Sequence, residues 1–355
     1  MIQITTRDRI RGLLLGTAVG DALGLPAEGL SRARIQRRWG NKWKMRLFFG
    51  YGMVSDDTEH SLMVAQSLVA FPKDSHAFQR RLGWKLRWWV LALPAGVGLA
   101  TAKASLKLWC GFSPAHSGVR SAGNGAAMRV GVIGAVFAND LIQRRKFTRA
   151  ATQLTHTDVR AEIGAIAVVE AVAWIIRAEK PFEEFLPTLG DLTENEEWRA
   201  LCRKLVDAKS RNLTVNEFAD ALGLERGVTG YVFHTVPIAL YACAQHPHNF
   251  HDALSAALTC GGDTDTVGAI VGCLMGAQVG SAGVPSEWVN HIIEWPRSLS
   301  FLERVSDQVV LASEGTSAKE VSLFWPGIIP RNIFFLVIIL SHGFRRLLPP
   351  YCKKT

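Results

Sequence analysis

Nowhere along the chain does the alternation of apolar and polar residues expected of a half-buried strand persist, and no clean run of twenty apolar residues occurs. The first absence argues against sheet architectures, the second against a helix crossing a bilayer. Cysteine is sparse. The six thiols (Cys110, Cys202, Cys243, Cys260, Cys273 and Cys352) stand far apart with no CxxC or CxxH pair. That excludes thiolate zinc and dithiol redox motifs, and the cysteines read as buried thiols of a reducing compartment. The opening MIQITTRDRIRG carries charge where a secretory signal needs an apolar stretch, so the expected location is cytoplasmic. Acids are the scarcer charge, 31 against 40 bases, for a net +9 that favours an anionic ligand such as a nucleotide, or an acidic partner protein. The basic clusters (Arg32, Arg34, Arg37, Arg38; Arg80, Arg81; Arg144, Arg145, Lys146) come without a zinc-finger, RNP or basic-zipper pattern, so they read as solvated faces and no direct nucleic-acid role is expected.

What is present is helical periodicity. Apolar and small residues at helical spacing predict helices over 8–24, 57–71, 76–93, 97–110, 124–138, 147–155, 158–178, 196–207, 215–222, 229–245, 250–259, 266–280 and 286–294, an all-α chain. Loops are short apart from GNKWKMRLFFGYG and the 181–195 region, and no linker divides the chain before residue 310. Gly12, Gly16, Gly20 and Gly24 recur every four residues, as do Gly268, Gly272, Gly276 and Gly280, while Gly123, Gly125, Gly131 and Gly134 crowd a third segment. Each helical glycine costs about 1 kcal/mol against alanine, so such stripes imply backbones in close approach at a crowded centre. The rival reading, paired membrane spans, fails on the polar text that abuts every such run.

After Glu314 the character changes, from SEGTSAKE to WPGIIPRNIFFLVIILSHGFRRLLPPY. The eight apolar residues 333–340 are too few to span a bilayer. They predict a C-terminal helix packed on the body, with an interfacial membrane anchor or partner-binding element as the alternative.

Two acidic doublets stand at helix starts. Ser55, Asp56, Asp57 and Thr58 precede one apolar helix, and Asp263, Thr264, Asp265 and Thr266 precede another. Capping accounts for one carboxylate at each start, for instance Asp56 boxed with Glu59, and leaves Asp57 unexplained. Adjacent carboxylates repel. Doublets with hydroxyl neighbours and no imidazole or thiolate suit hard cations, magnesium, manganese or calcium, rather than zinc. If the two starts face each other they offer four carboxylates with Ser55 and Thr266, enough for two ions about 3.5–4 Å apart. Spacing alone leaves simple capping open. Asp21 and Glu28, in GDALGLPAEG, read singly as a buried acceptor and a surface acid.

The ordered segments GLLLGTAVGDALGLPAEG, SDDTEHSL, SAGNGAAMR, LTHTDVRAEIGA and GGDTDTVGAIVG resemble the ADP-ribosylglycohydrolase family over about residues 8 to 300. The resemblance implies a compact orthogonal multi-helix bundle over residues 1–312 with a C-terminal extension over 313–355. It also implies a central pair of magnesium ions (manganese as a substitute) and hydrolysis of the glycosidic bond between ADP-ribose and a protein side chain or small molecule. Ser55, Asp56 and Asp57 match the first ligand motif, and Asp263, Asp265 and Thr266 the second. Glu28 matches a glutamate assigned to acid–base or water-positioning work, which makes Glu28, Asp56 and Asp263 the expected catalytic acids. Gly123, Asn124, Gly125, Ala126 and Met128 match the loop lining the diphosphate and distal ribose, where backbone N–H groups near a helix start suit an anion. His156 and Asp158 match positions beside the substrate. A monomer acting on an ADP-ribosylated protein or ADP-ribose derivative is expected.

One departure stands out. No carboxylate occurs between Asp74 and Asp140, so the loop aspartate that takes part in catalysis in the nitrogenase-activating branch has no counterpart. That keeps two alternatives open: a non-catalytic ADP-ribose-binding or toxin-blocking immunity protein on the same fold, and a divalent-metal nucleotide phosphohydrolase.

Overall fold

The structure is a computed structural model that describes residues 4–40 and 42–347; Cys352 and the end of the C-terminal extension lie outside the described residues. Sixteen α-helices order the described chain: α1 (Thr6–Gly24), α2 (Arg32–Trp39), α3 (Asp56–Ala70), α4 (Ser75–Leu91), α5 (Leu99–Trp109), α6 (Gly131–Val136), α7 (Leu141–Gln153), α8 (Val159–Arg177), α9 (Glu196–Ser210), α10 (Val215–Ala221), α11 (Val232–Gln245), α12 (Phe250–Thr259), α13 (Thr264–Val279), α14 (Ser286–Val289), α15 (Leu299–Ser313) and α16 (Ile328–Leu347). The extended structure among the described residues is minimal. Leu30–Ser31 (β1) pairs antiparallel with Gly261–Gly262 (β2), Leu30 opposite Gly262.

The centre is the antiparallel pair α1 and α13, wrapped by α3, α8, α11, α12 and α15. The glycine stripes explain the pairing. A Cβ built on Gly16 would stand 2.0 Å from the carbonyl oxygen of Gly272, one on Gly20 1.9 Å from that of Gly268, and one on Gly12 2.1 Å from that of Gly276. No side chain fits at that separation. Backbone contact along two helices thus compensates the weak helix propensity of glycine. At the end of the seam, Thr264 Oγ1 donates to the carbonyl of Gly24 at 2.8 Å, tying the end of α1 to the start of α13.

Several boundaries differ from the periodicity reading. The predicted 124–138 helix is a short 3-10 turn, Ala127–Arg129, followed by α6, because Gly131 and Gly134 let Cys273 and the Val169 backbone close in. The 181–195 loop contains a 3-10 stretch, Phe182–Leu192, around Pro187. Helices α2 and α15 lie outside the segments that the apolar period predicts. For α15 the local signal existed: Ser298 caps it and Leu302, Val305 and Val309 face the core. Four described cysteines are buried as expected, but Cys110 is exposed.

Beyond α15 the chain turns at 314–316 and runs irregularly across the surface to 324, held by Glu320 against Arg81 and Lys85 and by Gln66 donating to the Val321 carbonyl. The chain then enters α16, which seats Phe335 and Ile338 against Leu25, Leu47 and Met53. The apolar stretch is therefore a helix on the body, but with one face uncovered.

Candidate active site at three converging helix ends

The end of α1 and the starts of α3 and α13 meet at one place. Asp21, in the last turn of α1 and fully buried, accepts from the Ser55 and Thr58 amides at 2.9 and 3.1 Å and from Thr58 Oγ1 at 2.5 Å. It brackets the first acid motif from the neighbouring helix. Ser55, not Asp56, caps α3: its Oγ accepts from the Asp57 amide and donates to Asp57 Oδ2 at 3.2 Å. The start of α13 takes no side-chain cap from Asp263. Asp263 instead accepts from Asn124 Nδ2 at 2.7 Å, and Asn124 also donates to Thr235. Neither Asp56 nor Asp263 therefore caps the helix it adjoins.

The second motif is aimed by backbone. Gly261 and Gly262 adopt φ of +74° and +84°, and a Cβ on Gly262 would meet the Val228 carbonyl oxygen at 1.9 Å. Only glycine accepts both the left-handed conformation and that contact. The Asp263 amide then donates to Val228 at 2.8 Å, and the turn delivers Asp265 and Thr266 to the first motif. Thr266 Oγ1 stands 3.3 Å from Asp57 Oδ2, so the two motifs touch. Glu28 is brought to the same place, because Gly29 donates to the Gly262 carbonyl at 2.7 Å next to the β1–β2 pair.

Electrostatically the acids of the site are only partly compensated: buried Arg129 feels Asp56 and Arg331 feels Asp21 without bonding to them. Burial, then the charges of Asp21, Asp56 and Asp263, hold Asp57 well above the usual carboxylate range; burial, then Glu28 and Asp263, does the same to Asp265. Asp56 is raised by burial and by Asp21 and Glu59, and Asp21 is pushed up to about 6 by burial against its four hydrogen bonds. The positive ends of α3 and α13 offset part of this. Among the described residues no lysine or arginine side chain bonds to any of these aspartates. Asp57 Oδ1 and Asp265 Oδ1 are buried without a hydrogen-bond partner. Buried carboxylates in that condition need protons or a cation. Among the described residues no three acidic, histidine or cysteine groups stand in a metal-holding arrangement; the motifs meet pairwise, through Asp57 and Thr266.

The glycine loop lies against the second motif. The Gly123 amide is taken by Ser121 Oγ and that of Asn124 by the Gly230 carbonyl, so two of the amides expected to face an anion are engaged within the protein. Ala126 and Met128 are buried. A Cβ on Gly125 would stand 3.0 Å from His156 Cε1, so the missing side chain makes room for the imidazole. His156 is buried, shares a hydrogen bond with Thr155 Oγ1, and is pushed down to about 3 by burial and by Arg129, which makes it a neutral group near neutral pH. Asp158 accepts from the Arg160 amide at the start of α8 and from its guanidinium at 2.9 Å, and Arg160 holds it down at about 2.

Beneath α3 lies a buried ionic cluster that no motif announces. Glu59 accepts from Trp89 Nε1 and from Arg297 at 2.7 Å, with Arg331 at 3.3 Å. Arg331, from α16, pairs with Glu294 at 2.7 Å and donates to the Val54 carbonyl at 2.6 Å, while Glu294 accepts from the Val54 amide. The peptide that leads into Ser55 is thus clamped from both sides by residues far away in sequence. The available signal was a lone arginine in the apolar text of α16, since a charge there is buried only when paired.

A profile of the family described as ADP-ribosylglycohydrolase matches residues 3–318. The chain is similar to ADP-ribosylhydrolase ARH3 of Gallus gallus, 28% identical over 79% of this chain and 88% of that protein. It is also similar to the ADP-ribosyl-[dinitrogen reductase] glycohydrolase of Rhodospirillum rubrum, 26% identical over 81% of this chain and 91% of that protein. A solved structure titled "ADP-ribosylglycohydrolase-related protein complex" superposes with a TM-score of 0.65 at 26% identity, covering 89% of this chain and all of that one.

Proposed function

The chain belongs to the ADP-ribosylglycohydrolase family and is a glycohydrolase acting on ADP-ribosyl linkages, and we propose that it depends on a divalent metal and releases ADP-ribose from an N- or O-glycosidic linkage to a protein side chain or small molecule, reversing ADP-ribosylation. The observation that carries this reading is the contact of Asp57 with Thr266 between two buried carboxylate oxygens, Asp57 Oδ1 and Asp265 Oδ1, that no protein donor satisfies. Their chemistry is that of hard-cation ligands. Ser55, Asp56, Asp57, Asp263, Asp265 and Thr266 would hold magnesium, or manganese in its place, and bound metal supplies charge compensation and a more acidic water.

The remaining work belongs to the chain. Hydrolysis puts a hydroxyl on the anomeric carbon and a proton on the leaving nitrogen or oxygen. Glu28, exposed on the loop after α1 and close enough to raise Asp265, would hand that proton over. Positive charge that builds on the sugar ring as the bond breaks is favoured by Asp56 and Asp263. Asn124 fixes the Asp263 carboxylate, and neutral His156 lines the glycine loop as an uncharged hydrogen-bonding group. The net +9 of the chain draws a diphosphate-bearing substrate toward the site.

The test is to incubate the protein with ADP-ribosylated arginine and serine peptides, with magnesium and with chelator. Free ADP-ribose formed only with magnesium supports the proposal. Orthophosphate release would indicate a nucleotide phosphohydrolase, and binding without any release a non-catalytic reader.

A further inference from the structure

Helix α16 is two-sided. Its inner side is fully used: Arg331 and Asn332 are locked into the body through Glu294 and the Ala92 carbonyl, and Phe335 and Ile338 fill a small core with Leu25, Leu47 and Met53. Its outer side carries Ile333, Val337, Leu340 and Phe344 at helical spacing, from 53% to 69% exposed. Phe334 extends that stripe sideways, its ring 5.6 Å from Phe48, and Phe49 at the tip of the neighbouring turn is 90% exposed. The protein thus presents a continuous apolar ridge of two sequence-distant pieces.

Charge identifies what covers it. From Val321 to the last residue there is no acidic side chain, while Arg345, Arg346, Lys353 and Lys354 follow the apolar stripe. A second copy packed on the same segment would offer those bases no acidic partner, since the segment has none. A bilayer with anionic headgroups offers an apolar interior for the ridge and negative charge for exposed Arg345 at its end. The eight-residue run alone is too short to span, but the whole helical segment Trp325–Arg345 is, by length and composition, long and apolar enough to cross a membrane. Insertion would, however, pull Arg331 away from Glu294 and leave that carboxylate without its cation, whereas a helix lying in the interface keeps every inner contact.

We propose that α16 and Phe49 form a membrane-docking face, on which the enzyme sits with α16 in the plane of an anionic phospholipid surface. Because the inner side of the same helix packs on Leu25, and His342 lies 3.1 Å from the Pro26 carbonyl, docking places the surface beside the loop that carries Glu28. The enzyme would then work on linkages presented close to a bilayer.

Vesicle co-sedimentation of the full chain tests this independently of the catalytic reading. Binding is expected to vesicles of equimolar phosphatidylcholine and phosphatidylserine, with loss on raising salt and little binding to phosphatidylcholine alone. Val337→Asp with Leu340→Asp should weaken binding by about tenfold or more, and Arg345→Gln by about fivefold. Ile142→Asp, an exposed position on α7, should change nothing. All variants should keep the wild-type circular dichroism and melting, since the altered side chains face solvent. Failure to bind the anionic vesicles, binding that the double variant leaves intact, or a solution oligomer that the double variant dissolves would each overturn the proposal.

Discussion

Thr266 Oγ1 lies 3.3 Å from Asp57 Oδ2, although the two residues are 209 positions apart. Both helices that carry them begin at this contact, and two carboxylate oxygens beside it remain unsatisfied. If cations complete the site, magnesium should raise the thermal midpoint of the wild type, by an amount equivalent to about 2.7 kcal/mol at a hundredfold excess over its dissociation constant. Asp57→Asn should abolish both that shift and ADP-ribose release. Asp56→Ala and Asp263→Ala should also abolish release while leaving the fold largely intact; full activity of either, or of chelator-treated protein, contradicts the assignment.

Glu28 is exposed beside the site rather than packed into it. Glu28→Ala is therefore expected to leave the fold intact and to lower kcat more than it weakens ADP-ribose binding. Calorimetric binding alongside steady-state rates separates the two effects, and weakened binding at preserved kcat would make Glu28 a binding residue.

The α1–α13 seam admits no side chain. Gly16→Ala drives a methyl against the Gly272 carbonyl at 2.0 Å and should destabilise by about 3 kcal/mol in urea unfolding. Gly343, on α16 with open space around it among the described residues, should respond in the opposite sense: Gly343→Ala is expected to be neutral or stabilising by up to about 1 kcal/mol. Equal effects at the two positions would show that the seam is looser than described.

Arg331 reaches from α16 to the Val54 carbonyl and to two buried glutamates. Arg331→Ala leaves Glu294 without its partner and should cost about 3 kcal/mol or more. It should also lower kcat, because the peptide entering Ser55 loses its clamp. Arg331→Lys, which retains the charge but not the fork, should recover part of the stability and less of the activity.

Asp158 gives a pH signature away from the acidic centre. Its folded value is lowered from 3.8 to about 2 by Arg160, so its contribution is complete above the unfolded value and is lost as pH falls through about 2. The gap in thermal midpoint between wild type and Asp158→Ala should be constant from neutral pH down to about 4 and then narrow. The neutral-pH gap, about 1 kcal/mol for the lost helix cap, reports the side chain's work at the start of α8.

Much of this molecule is local and could be read in the chain. The helical class follows from the apolar period, and the close approach of two glycine stripes from their four-residue spacing, since a period and a missing Cβ act within one or two turns. The hydroxyl-flanked aspartates stand where helices start because those residue types terminate helices there. Locality also explains the misses: the 124–138 segment has helical periodicity, but the glycines that thin it serve neighbours, Cys273 and Val169, which periodicity does not contain.

What tertiary structure alone decided is how the acids are used. Ser55 takes the cap and frees Asp56, while Asp263 bonds to Asn124 instead of its own helix. Asp21, ambiguous by itself, becomes the bracket of the first motif once α1 lies beside α3. Arg331 becomes part of the support for Ser55 only because α16 folds back across the body. The chain by itself determined which side chains can carry charge and which backbone can approach; which carboxylates share one buried volume, and which face of α16 remains bare, depended on closing contacts between residues hundreds of positions apart, where no local period reaches.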